Sequence, residues 1–494
     1  MAHPMKKYVW LLGAGLGAWA LNTLCAFQSA VFTDAVSLAL LVFWGACVLW
    51  LRKKANWTPQ RSTEAVLTLG FILGLVFIIQ LHHLFSWHDL ASYSADFSVE
   101  NKPDGHLGYI AYLVEYGHLP TEDPRIDGFS VFYNPPLYHI LQACFMKLNL
   151  LLGLPEAVCV ENLQVFTLVC GCACTMVVVD LLRLLGMKEV GVRTGALLMA
   201  VQPMMLLLSA TLNTDMLSTL FCLLCFLFTA KWLKTQKLRH IIGIALSLGL
   251  GMATKISNAL FIPVLTVVFA TVFFKNLKNW KKFIGQYAAF LLLSVPEAIA
   301  WPVYHLIVYD MPFNYVRLPA ETIHLGRYTL WQRFGIPNGE VIRSLFYSGI
   351  RKVDHNLWMQ TLKTSMFDEL TLFELGTPMW YAAYFAMVLF ALMMLMAAIL
   401  FIRFIIRKND ALPPLFKGVA GGYAALLIAY YFKFCFDYPY VCSFNFRYIL
   451  PILFFSALAF ADYQTHAKRP RWLTLYVSAF SCFSMFVYGV YFLA

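Results

Sequence analysis

About thirteen apolar runs, each close to the length of a membrane-crossing helix and each ended by charged or Pro/Gly-rich residues, dominate this sequence. They centre on residues 8–27, 34–51, 65–85, 160–182, 193–209, 214–233, 240–253, 256–274, 283–300, 379–402, 416–433, 447–463 and 472–493. A helix needs about 20 apolar residues to cross about 30 Å of hydrocarbon. The runs therefore predict an all-α polytopic membrane protein with about 13 transmembrane helices. The count is 11 to 13, because the seventh run is short and can join the eighth as a re-entrant hairpin. Only 13% of the residues are charged and 60% are hydrophobic, whereas a soluble protein carries about 25% charged residues. Too little polar surface remains to cover a water-facing globule, and disordered, collagen-like and disulfide-scaffold classes are excluded.

The net charge of +11 follows from which side of the bilayer the charges occupy. With the amino terminus in the cytoplasm, the short loops on that side collect 24 of the 37 basic residues and five of the 26 acidic ones. Basic residues concentrate on the cytoplasmic side of membrane proteins, so this orientation is the expected one. No nucleic-acid partner is needed to explain the charge. The first run follows Lys6 and Lys7, lacks a convincing signal-peptidase site and reads as a retained anchor. The expected location is the plasma membrane, with multiple passes. Two long segments, 86–159 and 301–378, fall on the outer face, and chemistry or recognition is expected there. Without repeats or a separate soluble stretch, residues 1–494 read as one transmembrane domain with elaborated outer loops. The 12 cysteines mostly lie inside apolar runs as small hydrophobes. Cys435 and Cys442, in a short loop, are the plausible disulfide partners.

In the first outer loop, His106, Tyr109, Tyr112, Leu113 and Tyr116 recur at helical spacing, and Gly117 and Pro120 end the pattern. This helix is too short and polar to span, so it is expected to lie along the interface with its aromatic stripe at headgroup depth. Asp104 stands at its start, where exposed amides stabilise a carboxylate; a helix cap and a reactive group are both open readings. Next comes FYNPPLYHIL (132–141), containing Tyr133 and Tyr138, in which paired prolines hold an extended turn before a new helix.

An acid followed by an aromatic helix, then Gly117-His118-Leu119-Pro120, then an aromatic-PPLY turn, resembles the first outer loop of GT-C fold membrane glycosyltransferases. The similarity is to the branch containing protein O-mannosyltransferases and lipid A aminoarabinose transferases. LNTDMLSTLF (212–221) and MATKISNALFIP (252–263) fit in order. WPVYHLIVYDMPFNYV (301–316), LKTSMFDE (362–369) and NFRYILP (445–451) fit more weakly. The pair of adjacent acids found in many relatives is Asp104-Gly105 here.

The resemblance implies a GT-C-like fold with interfacial helices in the outer loops, and an inverting transfer of a sugar from a polyprenyl-phosphate donor to a hydroxyl acceptor on the outer face. The acceptor is a lipid, glycan or protein of the cell envelope. Such transfer needs a base for the acceptor proton, cations for the departing phosphate and an apolar groove for the isoprenoid, in contact with membrane lipids. Asp104 is assigned as the general base. Arg447 and Lys255 are assigned to the donor phosphate, with Asp437 as another partner for Arg447 and snorkelling to headgroups as the other reading of Lys255. Asp215, His106, Tyr109, Tyr133 and Tyr138 are assigned as active-site support, with helix capping as the alternative for Asp215.

His82, His83 and His88 lie close together after the third run. Adjacent histidines on a helix point about 100° apart, so a metal is expected, if at all, between His83 and His88; no cofactor is required and a divalent metal is an allowed addition. The basic and aromatic second outer loop reads as a lid or as a solvated cap over anionic headgroups. A polyprenyl-lipid flippase and a non-catalytic glycan-assembly protein are the competing functions. The flippase would need charges in mid-span, yet Asp180 and Glu297 lie near span ends.

Overall fold

A computed structural model describes residues 4–54, 57–83, 105–125, 130–312, 323–343, 355–368, 376–408, 412–413, 415–467 and 471–493. In chain order the helices are α1 (Pro4–Cys25), α2 (Ala30–Lys53), α3 (Pro59–Gln80), α4 (Gly105–Tyr116), α5 (Leu137–Leu151), α6 (Glu156–Leu184), α7 (Glu189–Val201), α8 (Pro203–Ser209), α9 (Asp215–Thr235) and α10 (Leu238–Thr254). They continue with α11 (Phe261–Lys275), α12 (Trp280–Val308), α13 (Leu330–Phe334), α14 (Gly339–Arg343), α15 (Leu357–Phe367), α16 (Pro378–Ile406), α17 (Phe416–Asp437), α18 (Ile452–His466) and α19 (Arg471–Leu493).

Among the described residues, ten helices are long and apolar enough to cross a membrane, or eleven if α7 and α8 form one bent span. The other two expected spans, α10 with 17 residues and α18 with 15, are shorter than a bilayer crossing. Their sequences explain it: Lys255 breaks the chain between α10 and a short 3-10 turn at Ile256–Leu260, and α18 starts only after Pro451. Start signals are explicit elsewhere. Thr58 and Thr377 each accept a main-chain hydrogen bond and are followed by proline at the first helical position, Pro59 and Pro378.

The chain forms two compact units, one of Met1–Leu185, Leu206–Arg317 and Pro413–Phe416, the other of Gly186–Met205, Leu318–Leu412 and Lys417–Ala494. In the first, α6 and α9 are the central helices: 78% and 72% of their apolar stretches are buried, against 6% for α2. The outward residues of α2, among them Val31, Leu38, Val42 and Phe43, are more than half exposed. Contiguous apolar surface of this kind belongs against lipid rather than water. Since apolar contacts alone give helices little reason to associate inside lipid, polar bonds and close approaches hold them. Asn162 donates to Asn149 at 3.0 Å and to Thr23 at 2.8 Å, Asn22 donates to Asn162, and Trp19 donates to Asn149, joining α1, α5 and α6.

In the second unit, α18 is the buried helix, with Leu453 to Asp462 almost closed to solvent. It packs against α7 so closely that a Cβ on Gly191 would stand 2.7 Å from the Ala461 carbonyl oxygen. Cys435 and Cys442, the pair the sequence allowed as a disulfide, are free thiols; Cys435 lies against the Ser443 carbonyl at 3.3 Å.

Candidate functional site

The first unit assembles three of the sequence strings into one structure. α4 runs over Gly105–Tyr116 and stops at Gly117, whose φ of +69° suits glycine. Most of its aromatic stripe is packed inside the protein. Tyr109 and Tyr112 are buried, His106 is 4% exposed, and only Tyr116 of the stripe is open. The reason is the neighbouring turn and helix: Phe132 meets Tyr109 and Tyr112 edge-on, each at 5.0 Å, and His139 of α5 stacks on Tyr109 at 4.2 Å. His106 Nδ1 and His139 Nε2 share a 2.9 Å hydrogen bond. Burial and the adjacent His106 hold His139 well below the usual histidine range.

Asp104 lies outside the described residues, as does His88. Gly105, described immediately after Asp104, carries φ of +70°, a left-handed turn at the base of the buried helix.

The PPLY turn leads into α5 at Leu137. Tyr138 is fully buried, and its hydroxyl accepts from Gln142 at 2.9 Å and from the Asn213 main-chain N–H at 3.0 Å, with Thr167 at 3.1 Å. Burial pushes this phenol up to about 12, so it stays neutral and acts through hydrogen bonds. Tyr138 thus ties α5 to α6 and to the turn before α9. Tyr133 takes part through its backbone: its carbonyl accepts from the Trp301 indole at 3.0 Å. Two more groups beyond Trp301 fasten the first loop, since Tyr304 and Tyr309 both donate to the Pro120 carbonyl.

That turn shows what holds Asp215. Asn213 supplies the helix cap, its Oδ1 accepting from the Met216 N–H at 3.1 Å. The carboxylate of Asp215, in the first turn of α9, pairs with the Lys255 ammonium. Asn258 donates to Ser218 at 2.7 Å one turn further along α9. The strings LNTDMLSTLF and MATKISNALFIP are therefore one joined structure. The Lys255 side chain is 24% exposed and that of Asp215 6%.

In the second unit, the strings LKTSMFDE and NFRYILP also meet. The Phe446 N–H donates to Thr364 at 2.9 Å, and Asn445 donates to Asp368 at 3.2 Å while accepting from the Arg447 N–H at 3.0 Å. Arg447 is 9% exposed and stands over the Tyr448 ring. Asp437 pairs with Lys433 at the neighbouring helix turn, one of the two partners the sequence offered for Arg447 being thus engaged elsewhere. Two further cations of the second long loop are buried in this unit, Lys363 at 1% and Arg333 at 8%. The Nε and Nη1 atoms of Arg333 have no hydrogen-bond partner among the described residues. The described part of this loop has both packed and open residues: His355 stacks on Tyr328 at 4.0 Å, whereas Trp331 is 70% exposed and Ile336 80%. Sequence reasoning placed these cations at a membrane surface because a lysine in an amphipathic stretch gives no sign of its depth.

His82 and His83 correct another expectation. α3 ends at Gln80 and Leu81 is extended, with φ −117° and ψ 124°, so the two rings are not splayed around a helix. They stand side by side, 4.1 Å between centroids, and both meet Glu161 of α6. Glu161 was not singled out in the sequence because it lies 78 residues away on an apolar helix.

Residues 134–301 match the sequence profile of the dolichyl-phosphate-mannose-protein mannosyltransferase family. This segment runs from the PPLY turn through the Asp215–Lys255 pair to Trp301. A crystal structure of ArnT from Cupriavidus metallidurans in the apo state is similar at 13% identity over 67% of each chain, with a TM-score of 0.29. A search of curated protein sequences returns no match.

Proposed function

We propose that this chain is an integral-membrane, inverting glycosyltransferase that moves a sugar from a polyprenyl-phosphate donor to a hydroxyl acceptor on the extracytoplasmic side of the plasma membrane. The observation that carries the reading is the joining of the Asp215 and Lys255 strings inside the segment that matches the mannosyltransferase profile. A packed support structure around a partly open ammonium is what phosphate departure requires. The Lys255 ammonium is a three-donor group whose position Asp215 fixes.

In the proposed reaction the acceptor oxygen attacks the anomeric carbon in line with the bond to phosphate. That bond breaks with its electron pair passing to the phosphate oxygen, and the acceptor proton passes to the carboxylate of Asp104. Lys255 and Arg447 are each assigned to the phosphate's developing charge, where a positioned donor contributes most in a water-poor setting. Among the described residues of the second unit, Arg333, Lys363 and Arg447 are buried cations, a residue type that an anionic donor phosphate requires. His106, Tyr109 and Tyr138 hold the first loop in place. The profile's name points to a mannosyl donor and a protein acceptor; lipid and glycan acceptors are tested beside it.

The test incubates purified protein with polyprenyl-phosphate sugars and each acceptor class and follows release of polyprenyl phosphate. Wild type releases it, and Asp104→Asn abolishes release while donor binding survives. Lipid movement between leaflets without bond cleavage would overturn the proposal in favour of a flippase, and release at the wild-type rate by Asp104→Asn would remove the base assignment.

A further inference from the structure

We propose that His82, His83 and Glu161 bind one divalent transition-metal ion of the zinc type where α3 meets the first long loop. The proposal goes beyond sugar transfer and does not depend on it. Three observations carry it. The first is convergence: His82 Nε2 lies 2.9 Å and His83 Nδ1 2.6 Å from the same oxygen, Oε1 of Glu161, and one ligand atom from each of the three residues lies within 4.8 Å of the others. Zinc bonds of about 2.0–2.1 Å in tetrahedral array place ligand atoms about 3.3 Å apart. The two contacts to Glu161, at 2.9 and 2.6 Å, open by about 0.4 and about 0.7 Å to reach that spacing.

The second is orientation of the carboxylate. Its other oxygen, Oε2, accepts from Gln164 at 2.9 Å and from the His83 main-chain N–H at 3.2 Å. Those donors turn Oε1 toward both imidazoles, which is how an outer layer of hydrogen bonds fixes a metal-binding carboxylate. The third is graded access. The side chains of Glu161 and His83 are 9% and 12% exposed, whereas that of His82 is 49% exposed, giving an inner anchor and an outer entry. Two imidazoles and one carboxylate suit zinc or cobalt over magnesium or calcium, which prefer oxygen ligands, and they leave a fourth position for water or another oxygen. The alternative is a hydrogen-bonded trio in which both imidazoles donate to one oxygen; metal binding would displace those protons.

Full-length protein in detergent, stripped with chelator and equilibrated with zinc chloride, is assayed for bound zinc by mass spectrometry and for affinity by chelator competition. Wild type is expected to hold one zinc that His82→Ala and Glu161→Gln lose or bind at least 10-fold more weakly, and that Gln164→Ala binds about 10-fold more weakly. His82 is half exposed, so its replacement leaves the packing intact. His118→Ala, at an exposed histidine outside the trio, keeps wild-type affinity. Cobalt chloride gives wild type, but not Glu161→Gln, the visible absorption of tetrahedral cobalt, and magnesium does not compete. Equal zinc binding by wild type and His82→Ala, or no zinc on monodisperse wild type, overturns the proposal.

Discussion

Breaking the Asp215–Lys255 pair from either side has unequal consequences, and the inequality can be worked out from burial. Removing one member of a fully buried pair costs about 3–5 kcal/mol, whereas an exposed pair is worth about 0–1 kcal/mol. Asp215 is 6% exposed and Lys255 24%. Asp215→Asn leaves a lysine whose side chain is partly exposed, so the expected cost is about 1–2 kcal/mol. Lys255→Met removes the cation beside a carboxylate that is almost closed off. The amides of the first turn of α9 recover about 1 kcal/mol of that loss, leaving an expected cost of about 2–4 kcal/mol. Combining the changes removes both charges, so the double variant should be about 1–2 kcal/mol more stable than additivity requires. Denaturant unfolding in a fixed detergent micelle measures all four proteins. Additivity within about 0.5 kcal/mol, or a larger loss for Asp215→Asn than for Lys255→Met, refutes the argument. The same proteins separate support from chemistry. If Lys255 also holds the donor phosphate, the double variant regains stability but not transfer, with activity down by about 100-fold or more as for loss of one positioned donor. Recovery of both would reduce Lys255 to a structural partner.

Arg447→Ala should raise the donor KM sharply while Lys433→Ala, at the exposed pair with Asp437, leaves it unchanged; steady-state kinetics over donor concentration checks this, and an unchanged KM excludes Arg447 from the phosphate. Gly191→Ala forces a methyl against the main chain of Ala461 and should cost about 1–3 kcal/mol, whereas Gly13→Ala, with nothing within 4 Å, should be neutral or slightly stabilising in the same unfolding assay. His139 titrates below its unfolded value of 6.5 in the folded protein, so the unfolded chain binds the extra proton first. Its contribution to stability is present above pH 6.5 and is lost as pH falls below it, by at most about 1.4 kcal/mol per pH unit. His139→Gln should flatten that acid limb in melting curves taken between pH 7.5 and 5.5; an unaltered slope rules out His139 as its source.

The helices were legible in the sequence because lipid demands length and apolarity together, and each of the thirteen expected runs contains or overlaps a helix. What the sequence could not convey was depth. Tyr109 and Tyr116 belong to one periodic stripe, yet one is buried and the other 48% exposed, because the partners that cover Tyr109, Phe132 and His139, arrive from residues further along the chain. The error over His82 and His83 has a similar origin. Helical geometry would have separated them, but the helix ends two residues earlier, and an end of that kind carries no marker as plain as glycine or proline.

Asp215 shows what structure adds to a residue whose default reading from sequence is a helix cap. An aspartate at a helix start is well placed to cap it, and stabilisation by the helix would then account for the residue completely. Here the cap bond to Met216 comes from Asn213, and the carboxylate instead meets a lysine 40 residues away. A cap alone would not require that lysine, nor the Ser218–Asn258 bond one turn further on. The local arrangement around Asp215 therefore consists of two segments fastened to each other around one oriented ammonium. Of the proposed phosphate cations, Lys255 is consequently the more direct test, because its orientation has an identified partner whose removal can be measured independently of the sugar.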